Sequence, residues 1–519
     1  MSLCTLSDVK LPVGQSEKQL VSIAEKKLGK KLKYFEIKKK SLDARDKNAI
    51  KYVYTIAFSD EEQPKIKREL EKLSAYQIPE KPVAIAGAGP AGLFCALRLL
   101  QRGICPILFE RGAPVEERER AVQAFFTTKC LNPNVNIQFG EGGAGTFSDG
   151  KLNTQTHSPL NREVLETFVN FGAPEELLWL QKPHIGSDKL KTVVKNIREF
   201  LLAQGVEIHF HTQLLDVEIK DGKLRSIRLQ NTKTGEETKR EVSALALAVG
   251  HSARDTFETL LKRGVAMRAK DFAVGVRIEH LQEKIGFAQY GGSYPLLPAA
   301  DYKLVSHASQ RAAFTFCMCP GGFVMPATSE ENCVVTNGMS NYARDGKNAN
   351  AALIAQVKAE EFDGASPLAG VEYQRRLERA AYQVGGGGYV APVQRVEDFL
   401  ADRESTRFGE VLPTYAAGTA FADLRAVLPP PIIGALKNAL PDMDRRLRGF
   451  AHPDALLTAV ETRTSSPVRI VREETTLQSP SAQGLYPCGE GAGYAGGITS
   501  SAADGLRVAD AVYQSFCQR

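Results

Sequence analysis

The sequence lacks long hydrophobic runs: none of its segments approaches the roughly 18 consecutive apolar residues that a membrane helix requires. The segment from Met1 to Lys18 also lacks the basic head and apolar core of a secretory signal. The nine cysteines have no paired metal-ligand spacing, and the eight histidines form neither an H-x₃-H nor an H-E-x-x-H pattern. We therefore expect a cytoplasmic protein with free thiols, no membrane span and no metal site.

The positive charge of the chain is unevenly distributed. Residues 1–82 contain 18 lysines and arginines against 12 acidic residues, which accounts for the whole formal charge of +6. The lysine-rich segment 26–40 predicts a solvated face rather than a nucleic-acid surface, so we expect no nucleic-acid partner. A length of 519 residues predicts two or three domains.

The first 60 residues have the pattern of a small α+β module. Apolar residues at helical spacing follow Ser16. Three further segments have the pattern of strands: Val9–Val13, Tyr34–Lys38 and Tyr52–Phe58. A charged stretch at 65–76 with helical character then leads to Pro79 and Pro82, and two prolines in four residues indicate a linker. We therefore separate a module, 1–78, from a core that begins at residue 82; the pattern predicts no function for the module.

The core opens with the pattern of a dinucleotide-binding fold. The apolar segment Val83–Ala86 predicts a buried strand, and the segment Leu93–Arg102 predicts a helix. Between them lies Gly87-x-Gly89-x-x-Gly92, and a second strand at Pro106–Phe109 ends at Glu110. Two other segments also match G-x-G-x-x-G, beginning at Gly140 and at Gly491, but only the first has the strand, the helix and the acidic residue around it.

Each part of this motif has a physical role in binding a dinucleotide. Gly87 permits the tight turn, Gly89 lets the backbone approach the pyrophosphate, and Gly92 brings helix and strand close together. Pro90 and Ala91 begin the helix, whose unpaired N–H groups and positive dipole end attract phosphate. Glu110, which follows Gly87 by 23 residues, is placed to accept hydrogen bonds from ribose hydroxyls.

The C-terminal segment favours FAD over NAD as the cofactor. Residues 484–490 have the pattern of a strand that ends in the pair Gly489-Glu490, and a helix begins after Gly497 and Ile498. In flavoproteins with this layout, the Gly-acid pair holds the ribitol, and the helix N-terminus faces the N1–O2 edge of the flavin, where negative charge develops on reduction. Binding of NAD does not need this second element.

Together these segments make the chain resemble the two-dinucleotide-binding-domain flavoproteins, which are glutathione-reductase-like, and within them the bacterial FAD-dependent dehydrogenases. The segments that carry the resemblance are 87–92, 110–112, 139–152, 272–279, 461–467 and 489–493. The resemblance implies noncovalent FAD and an inserted substrate domain: an FAD domain built from 82–250 and 461–519, with the insertion at 251–460. It implies no substrate. One departure is Glu490, where an aspartate is usual.

Four further elements complete the predicted cofactor site. Small residues in the turn at 142–145 leave backbone N–H groups exposed, so the turn either lies against the pyrophosphate or the flavin or is a plain tight loop. The added residues are Arg111, Gly142, Gly143, Ala144, Gly145, Leu214 and Gly250.

The residues that would carry out chemistry are less clearly indicated. Lys151 either places an ammonium near the flavin or is a solvated lysine, and Arg463 either binds an anionic substrate or pairs with an acid such as Glu461. His251 is a weaker candidate, with packing as the default interpretation. The pair in Cys317-Met318-Cys319 is interpreted as a buried strand end rather than a redox centre, because a C-x-C pair closes only a strained ring and disulfide reductases of this superfamily use C-x₄-C.

The sequence therefore predicts an α/β protein with a discontinuous Rossmann-type FAD domain, an inserted mixed α/β domain and an N-terminal α+β module. The predicted function is that of an FAD-dependent oxidoreductase acting on an unidentified small molecule. Two alternatives stay open: an NAD(P)H-dependent flavin monooxygenase, and a flavin-containing, nucleic-acid-associated factor. No second complete strand–GxGxxG–helix unit is present for a nicotinamide cofactor, and the pattern leaves the oligomeric state open.

Overall fold

The computed structural model describes residues 3–63, 81–154 and 156–517. The helix predicted at 65–76, the linker residue Pro79 and the module boundary at 78 lie outside these residues. Within the described ranges, the chain forms α/β structure with one parallel sheet and several antiparallel ones, which confirms the predicted fold class.

The N-terminal module is a three-stranded antiparallel sheet covered by one helix. Its strands, in spatial order, are Cys4–Pro12, Lys51–Ser59 and Tyr34–Asp43, and its helix is Lys18–Leu28. The helix buries Leu20 and Ala24 against Ile56 and Phe58 of the central strand, which gives the module a hydrophobic cluster of its own. All three predicted strands and the predicted helix are confirmed.

The central layer of the core is a five-stranded parallel sheet. In spatial order its strands are Leu485–Pro487, Ala244–Leu247, Val83–Ala86, Ile107–Phe109 and Glu207–His209. The strand from the C-terminal part of the chain therefore lies at one edge, beside strands from the first half. A parallel sheet must be covered on both faces, and four of its strands are accordingly apolar and buried, whereas the edge strand Glu207–His209 is partly exposed.

Two helices from distant parts of the chain pack together on one face of this sheet. Pro90–Gln101 follows the first strand directly, and Ile498–Cys517 follows the C-terminal edge strand. Both are apolar helices, and they are joined at their solvent side by Arg98, whose guanidinium lies 3.1 Å from the Asp510 carboxylate. The first helix begins at Pro90, so Gly92 lies within its first turn.

A second large sheet, of seven mainly antiparallel strands, forms the wall above the parallel sheet. Its spatial order is Val305–Ser306, Ala313–Cys319, Asn348–Val357, Phe272–Leu281, Leu456–Glu461, Ala391–Arg395 and Thr419–Phe421. The central strand Phe272–Leu281 is buried along its whole length. Two smaller antiparallel sheets pair Met267–Ala269 with Val468–Ile470 and Phe323–Pro326 with Thr336–Met339. In a three-stranded antiparallel sheet, Lys223–Asn231 lies between Thr212–Lys220 and Glu237–Glu241.

The remaining helices cover the outer faces of these sheets. They are Val115–Thr128, Leu160–Asn170, Gly186–Ala203, Arg254–Lys262, Gln282–Tyr290, Ala369–Val384, Val396–Leu400 and Pro430–Arg446. Among the described helices, none combines the length and the apolar character that crossing a bilayer demands.

The N-terminal module touches the core through backbone hydrogen bonds. The Lys40 N–H lies 2.8 Å from the Trp179 carbonyl oxygen, and the Gln181 N–H lies 3.0 Å from that of Lys40. Lys47 adds a side-chain hydrogen bond of 2.7 Å to the Ala288 carbonyl. The N-terminal module is therefore bound to the rest of the chain, although its hydrophobic cluster is separate.

Deletion of residues 1–80 should leave a folded core that retains its cofactor. The deletion removes the two backbone hydrogen bonds at Lys40, so we expect the free energy of unfolding to fall by only about 1–3 kcal/mol. Urea unfolding and the flavin-to-protein absorbance ratio of the truncated and full-length chains measure the two effects. A truncated protein that aggregates or loses its flavin would show that the module supports the core.

Candidate cofactor-binding site

The candidate site lies along the carboxyl edge of the parallel sheet. Four neighbouring strands end there, and the residues that follow them line a common cavity of about 330 Å³: Gly87, Glu110, Ala248–Gly250 and Glu490. Ligands of open α/β sheets bind at this edge, because loops of adjacent strands diverge there. The cavity has the size of an ordinary small-molecule site.

The first turn is shaped by glycine at two positions. Gly87 has a φ of +106°, and a Cβ at this position would overlap the carbonyl oxygen of Ala248 on the adjacent strand. At Gly89 a Cβ would point into the cavity, with its nearest described neighbour 3.7 Å away at Gly143. No side chain caps the helix that begins at Pro90. Its N-terminal N–H groups and dipole are therefore directed at the space beside Gly89.

Glu110 is buried at the end of the second strand and is held by the backbone. Its two carboxylate oxygens accept hydrogen bonds from the Ala88 N–H at 2.7 Å and from the Gly112 N–H at 2.9 Å. Each oxygen keeps a lone pair for a further donor, such as a ribose hydroxyl. The next residue, Arg111, pairs with Asp255 at 2.8 Å and lies over the Phe139 ring.

A fully buried arginine organises the loop that faces this turn. Arg118, on the helix Val115–Thr128, donates hydrogen bonds to five backbone carbonyl oxygens between 2.7 and 3.3 Å away. The acceptors are Asn136, Ile137, Gly140, Glu141 and Gly143. Burial lowers the pKa of Arg118 to about 10, against the opposing effect of Glu110 and Glu141, so the guanidinium is still charged at neutral pH.

The turn at 142–145 lies between the first glycine turn, at 87–92, and the start of the C-terminal helix at Ile498. The Gly142 N–H donates to the Ala88 carbonyl at 2.8 Å, and Gly143 packs on Gly89. On its other side, Gly145 lies against the side chain of Ile498, at the start of the C-terminal helix. The turn therefore places the N-termini of both helices in one cavity.

Glu490 and Gly497 form the C-terminal side of the cavity. Burial raises the pKa of Glu490 to about 7, against the effect of Lys270. At Gly497 a Cβ would find open space, and the helix Ile498–Cys517 begins directly after it. The Gly489 N–H is occupied by Asp504, 2.8 Å away, which fixes the loop before the helix.

Lys151 lies in the wall of the cavity and is paired there. Its ammonium donates to Asp149 at 2.6 Å and to the Met318 carbonyl, so it is not a freely solvated lysine. Asp149 is itself buried, which by itself raises its pKa, but Lys151 and Arg344 together lower the pKa below its usual range.

Arg463 also lines the cavity, but its partner is not the predicted one. Its guanidinium pairs with Glu378, at 2.9 Å and 3.1 Å, and also reaches Ser252 at 3.1 Å. Glu461 pairs instead with the fully buried Arg277, with both distances at 3.0 Å. The predicted alternative of an ion pair with an acid is therefore present, but the acid is Glu378 and not Glu461, which was named as an example. The strand Leu456–Glu461 ends at Glu461, so the regular alternation of side chains does not continue to Arg463.

Most of the predicted site residues line the one cavity. Those that do are Gly87, Gly89, Pro90, Ala91, Glu110, Arg111, Gly143, Ala144, Gly145, Lys151, Leu214, Gly250, Arg463, Glu490, Gly497 and Ile498. Gly92, Gly142 and Gly489 lie behind the wall and shape it through backbone contacts.

His251 lines the cavity beside Ser252, with its Nδ1 3.2 Å from the serine hydroxyl. Burial, together with the charges of Arg463 and Arg254, lowers the pKa of His251 to about 3. The ring is therefore neutral at physiological pH, and in this arrangement it can exchange hydrogen bonds but does not carry charge.

Two groups of side chains have potential ligand atoms within 4.8 Å of one another: Glu330, Cys333 and Glu378, and Glu410, His452 and Asp454. In both groups the carboxylates already pair with cationic side chains, such as Arg254 with Glu378 and Lys284 with Glu410. Their charge is thus compensated within the chain, and the prediction of no metal site stays unchanged.

Sequence analysis missed several residues that build the site. Arg118 sits in a charged helix that has no dinucleotide-binding pattern, so no signal marked it. The segments that carried the family resemblance contain Asp149, Arg277 and Glu461. The ion pairs of these residues, Asp149 with Arg344 and Arg277 with Glu461, depend on contacts between parts of the chain that are distant in sequence. Cys317 was noticed, but its position in the cavity wall was not predicted.

Comparisons with known proteins agree with this geometry. A family model described as "FAD-dependent protein, C-terminal domain-like" matches residues 271–464, and one described as a domain of unknown function (DUF8436) matches residues 5–59. The chain is 45% identical to an uncharacterized protein of Clostridium beijerinckii over 522 residues, which covers 96% of each. The family description identifies FAD as the cofactor, and the predicted FAD-binding residues line the cavity.

Similarities to solved structures are more distant. A triple mutant of the flavin-dependent brominase Bmp2 is 12% identical, with a TM-score of 0.39 over 85% of this chain and 81% of the brominase. The glycerol-3-phosphate dehydrogenase of Bacillus halodurans, complexed with FAD, is 12% identical, with a TM-score of 0.36 over 84% of this chain and 65% of that one. At such identities and TM-scores, these similarities carry no information on the reaction.

Substitution of Arg118 should destabilise both the fold and the cofactor site. Arg118→Met removes one donor from each of five backbone carbonyls and leaves those of Asn136 and Ile137 without a further donor among the described residues, so we expect the free energy of unfolding to fall by about 3–5 kcal/mol. Urea unfolding measures this loss, and equilibrium titration measures FAD affinity, which should weaken because the 136–143 loop loosens. Arg120→Met, an exposed neighbour on the same helix, is the matched control; equal losses in both variants would contradict the assigned role.

Substitution of Glu490 should flatten the pH dependence of stability. Because the pKa of Glu490 is raised from 4.5 to about 7 in the folded chain, the folded state binds a proton that the unfolded state releases, and stability falls as pH rises through this window. In the FAD-free protein, Glu490→Gln should therefore reduce the loss of unfolding free energy between about pH 5 and about pH 7, by about 1–3 kcal/mol. Urea unfolding at both pH values measures it. Glu474→Gln, exposed, should behave as wild type, and an unaltered slope in Glu490→Gln would refute the assignment.

Proposed function

The chain belongs to one family with the Clostridium beijerinckii protein, and we propose that it is a cytoplasmic FAD-dependent oxidoreductase. In this proposal it transfers hydride or electrons between noncovalent FAD and a small organic substrate. One observation carries the proposal: the N-termini of two helices, Pro90–Gln101 and Ile498–Cys517, open into one cavity that also contains Glu110. A dinucleotide with phosphates at its centre and a flavin ring at one end fits this charge distribution.

The residues present fit FAD along the length of the cavity. Glu110 would accept the adenosine ribose hydroxyls, and the space beside Gly89 would take the pyrophosphate. Glu490 would hold the ribitol, and the helix that begins at Ile498 would face the pyrimidine edge of the ring. Glycine at 89 and 497 leaves those two positions free of side chains, as close approach of a ligand to backbone requires.

FAD, when bound, supplies the hydride and electron chemistry that the side chains themselves cannot perform. The chain's own residues orient the reactants and exclude water. The wall of the cavity that would face the flavin ring belongs to the seven-stranded sheet and its neighbours. It includes Phe316, Asn337 and Arg463. Arg463 is already neutralised by Glu378, so this end of the cavity favours a substrate of low charge over a strongly anionic one.

Glu110→Ala should weaken FAD binding without unfolding the chain. The substitution removes the carboxylate that holds the Ala88 and Gly112 N–H groups and that would meet the ribose, so we expect a loss of about 1–3 kcal/mol of binding free energy. Fluorescence titration of the FAD-free protein with FAD measures this loss. Glu207→Gln, on the adjacent strand and exposed, is the control. FAD affinity equal to that of wild type in Glu110→Ala would place the ribose elsewhere.

NADH and NADPH should reduce the flavin only weakly, since the residues that the structure describes contain a single complete strand–GxGxxG–helix unit, at 83–101. Anaerobic stopped-flow bleaching of the flavin measures this, and the same assay with candidate metabolites tests the oxidoreductase proposal directly. We expect at least one uncharged or weakly charged metabolite to bleach or restore the flavin absorbance. Saturating reduction by a nicotinamide at low concentration would instead favour the monooxygenase alternative.

A further inference from the structure

The N-terminal module binds a segment of the core that also supports the cavity wall. The outer edge strand of the module, Tyr34–Asp43, exchanges two backbone hydrogen bonds with this segment: the Lys40 N–H donates to Trp179, and the Lys40 carbonyl accepts from Gln181. Lys40 and Leu180 thereby form a parallel bridge. An edge strand offers unpaired N–H and C=O groups, and here the core occupies two of them.

We call residues 179–187 the strap, because this segment continues from the module to the cavity. Its second half pairs with a segment of the cavity wall. The Leu152 N–H donates to the Pro183 carbonyl at 3.0 Å, and Lys151 and His184 form an antiparallel bridge. One continuous piece of backbone is therefore hydrogen-bonded to the module at one end and to the wall at the other.

The two bridges lie close together along the strap. Leu180, at the module, and His184, at the wall, are four residues apart. Extended backbone advances about 3.3 Å per residue, so the two bridges are within about 13 Å of each other. A shift of the strap at the module would therefore reach the wall through only a short piece of chain.

The part of the strap beside the module has few other contacts. Gln181 and Lys182 are exposed, whereas the half that pairs with the wall is largely buried. Among the residues that the structure describes, the Gln181 N–H donates only to the Lys40 carbonyl, and Lys182 adds one surface ion pair, with Asp301 at 2.9 Å. Segments with exposed side chains and few contacts open locally at low free energy. The contact with the module therefore decides how firmly this part of the strap is held.

The wall segment that the strap supports carries a charge into the cavity. Asp149, Gly150 and Lys151 all line the cavity. The Lys151 ammonium donates to the Asp149 carboxylate at 2.6 Å and to the Met318 carbonyl on the seven-stranded sheet. The position of this ammonium thus depends on the backbone of residues 149–152, which pairs with the strap.

We infer that the N-terminal module is a positioning element of the cavity: by holding the strap, it fixes the wall segment 149–152 and, with it, the ammonium of Lys151. This gives the module a role that its sequence pattern does not predict. The coupling of module and wall rests on the backbone hydrogen bonds alone. That Lys151 faces FAD rests on the proposed function; a fixed ammonium there would stabilise the negative charge that reduction adds to the flavin.

Lys40→Pro in the full-length chain tests the coupling. The Lys40 N–H points away from the module's own sheet, so a proline at this edge removes the bond to Trp179 and none within the sheet. We expect the amides of Leu152 and Ile185, which join strap and wall, to exchange about three- to tenfold faster, because exchange follows the free energy of local opening. Hydrogen exchange with mass spectrometry of peptides covering 149–154 and 183–187 measures this.

Lys40→Gln is the matched control. It keeps the N–H but loses the same side-chain contacts as the proline variant, the ion pair with Glu17 at 2.7 Å and the cation–π contact with Tyr52, so its wall should exchange as in the wild type. A proline variant whose module unfolds also releases the strap, so the wall should loosen in that case too. Wall exchange at the wild-type rate in Lys40→Pro, or equal loosening in Lys40→Gln, would overturn the inference.

The reduction potential of bound FAD separates this inference from the proposed function. In the FAD-loaded full-length chain, Lys40→Pro should lower the potential relative to Lys40→Gln, because the ammonium is no longer fixed. In a Lys151→Met background the two variants should have the same potential. Equal potentials with Lys151 present would overturn its part in the inference. A chain that takes up no FAD refutes the proposed function instead, and the exchange measurements then still decide on the coupling.

Discussion

The structure of the site depends on one buried guanidinium. Arg118 gathers five carbonyl oxygens of the loop 136–143 around itself, and this loop presses against the first turn through the contact of Gly143 with Gly89. A loop without regular secondary structure carries many backbone groups that burial would leave unpaired. The arginine satisfies them and so allows a glycine-rich loop to be a rigid wall. This rigid loop, the carboxyl edge of the parallel sheet and the C-terminal helix together enclose the cavity.

A second set of ion pairs ties the seven-stranded sheet to the cavity. Arg277 and Glu461 join neighbouring strands, and Glu378 holds both Arg254 and Arg463. All of these groups are buried, so the loss of any one partner would leave a charge uncompensated in the interior. The pairs fix which side chains face the cavity, and they neutralise most of its formal charge.

Sequence reasoning predicted the elements that depend on local pattern. The strand Val83–Ala86, the glycine turn, Glu110 and the C-terminal helix were all predicted, because turn geometry and apolar runs leave a signal in a short window. Arg118 left no such signal, since its acceptors are backbone atoms 18 and more residues away along the chain. An ion pair of Arg463 with an acid was predicted, but the acid was not identified, for a related reason: Glu461 is closer in sequence, whereas the actual partner Glu378 lies on the helix Ala369–Val384. Pairing between distant strands and helices is a property of the fold, and a single sequence does not specify it directly.

The central claim is that two segments far apart in the sequence form one FAD site, with the helices at Pro90 and Ile498 as its two poles. The most direct measurement is the absorbance spectrum of the purified full-length chain, with quantification of the flavin released by heat. The account predicts a yellow protein that releases one FAD per chain and takes it up again after removal. A colourless protein that binds no FAD on reconstitution would contradict it.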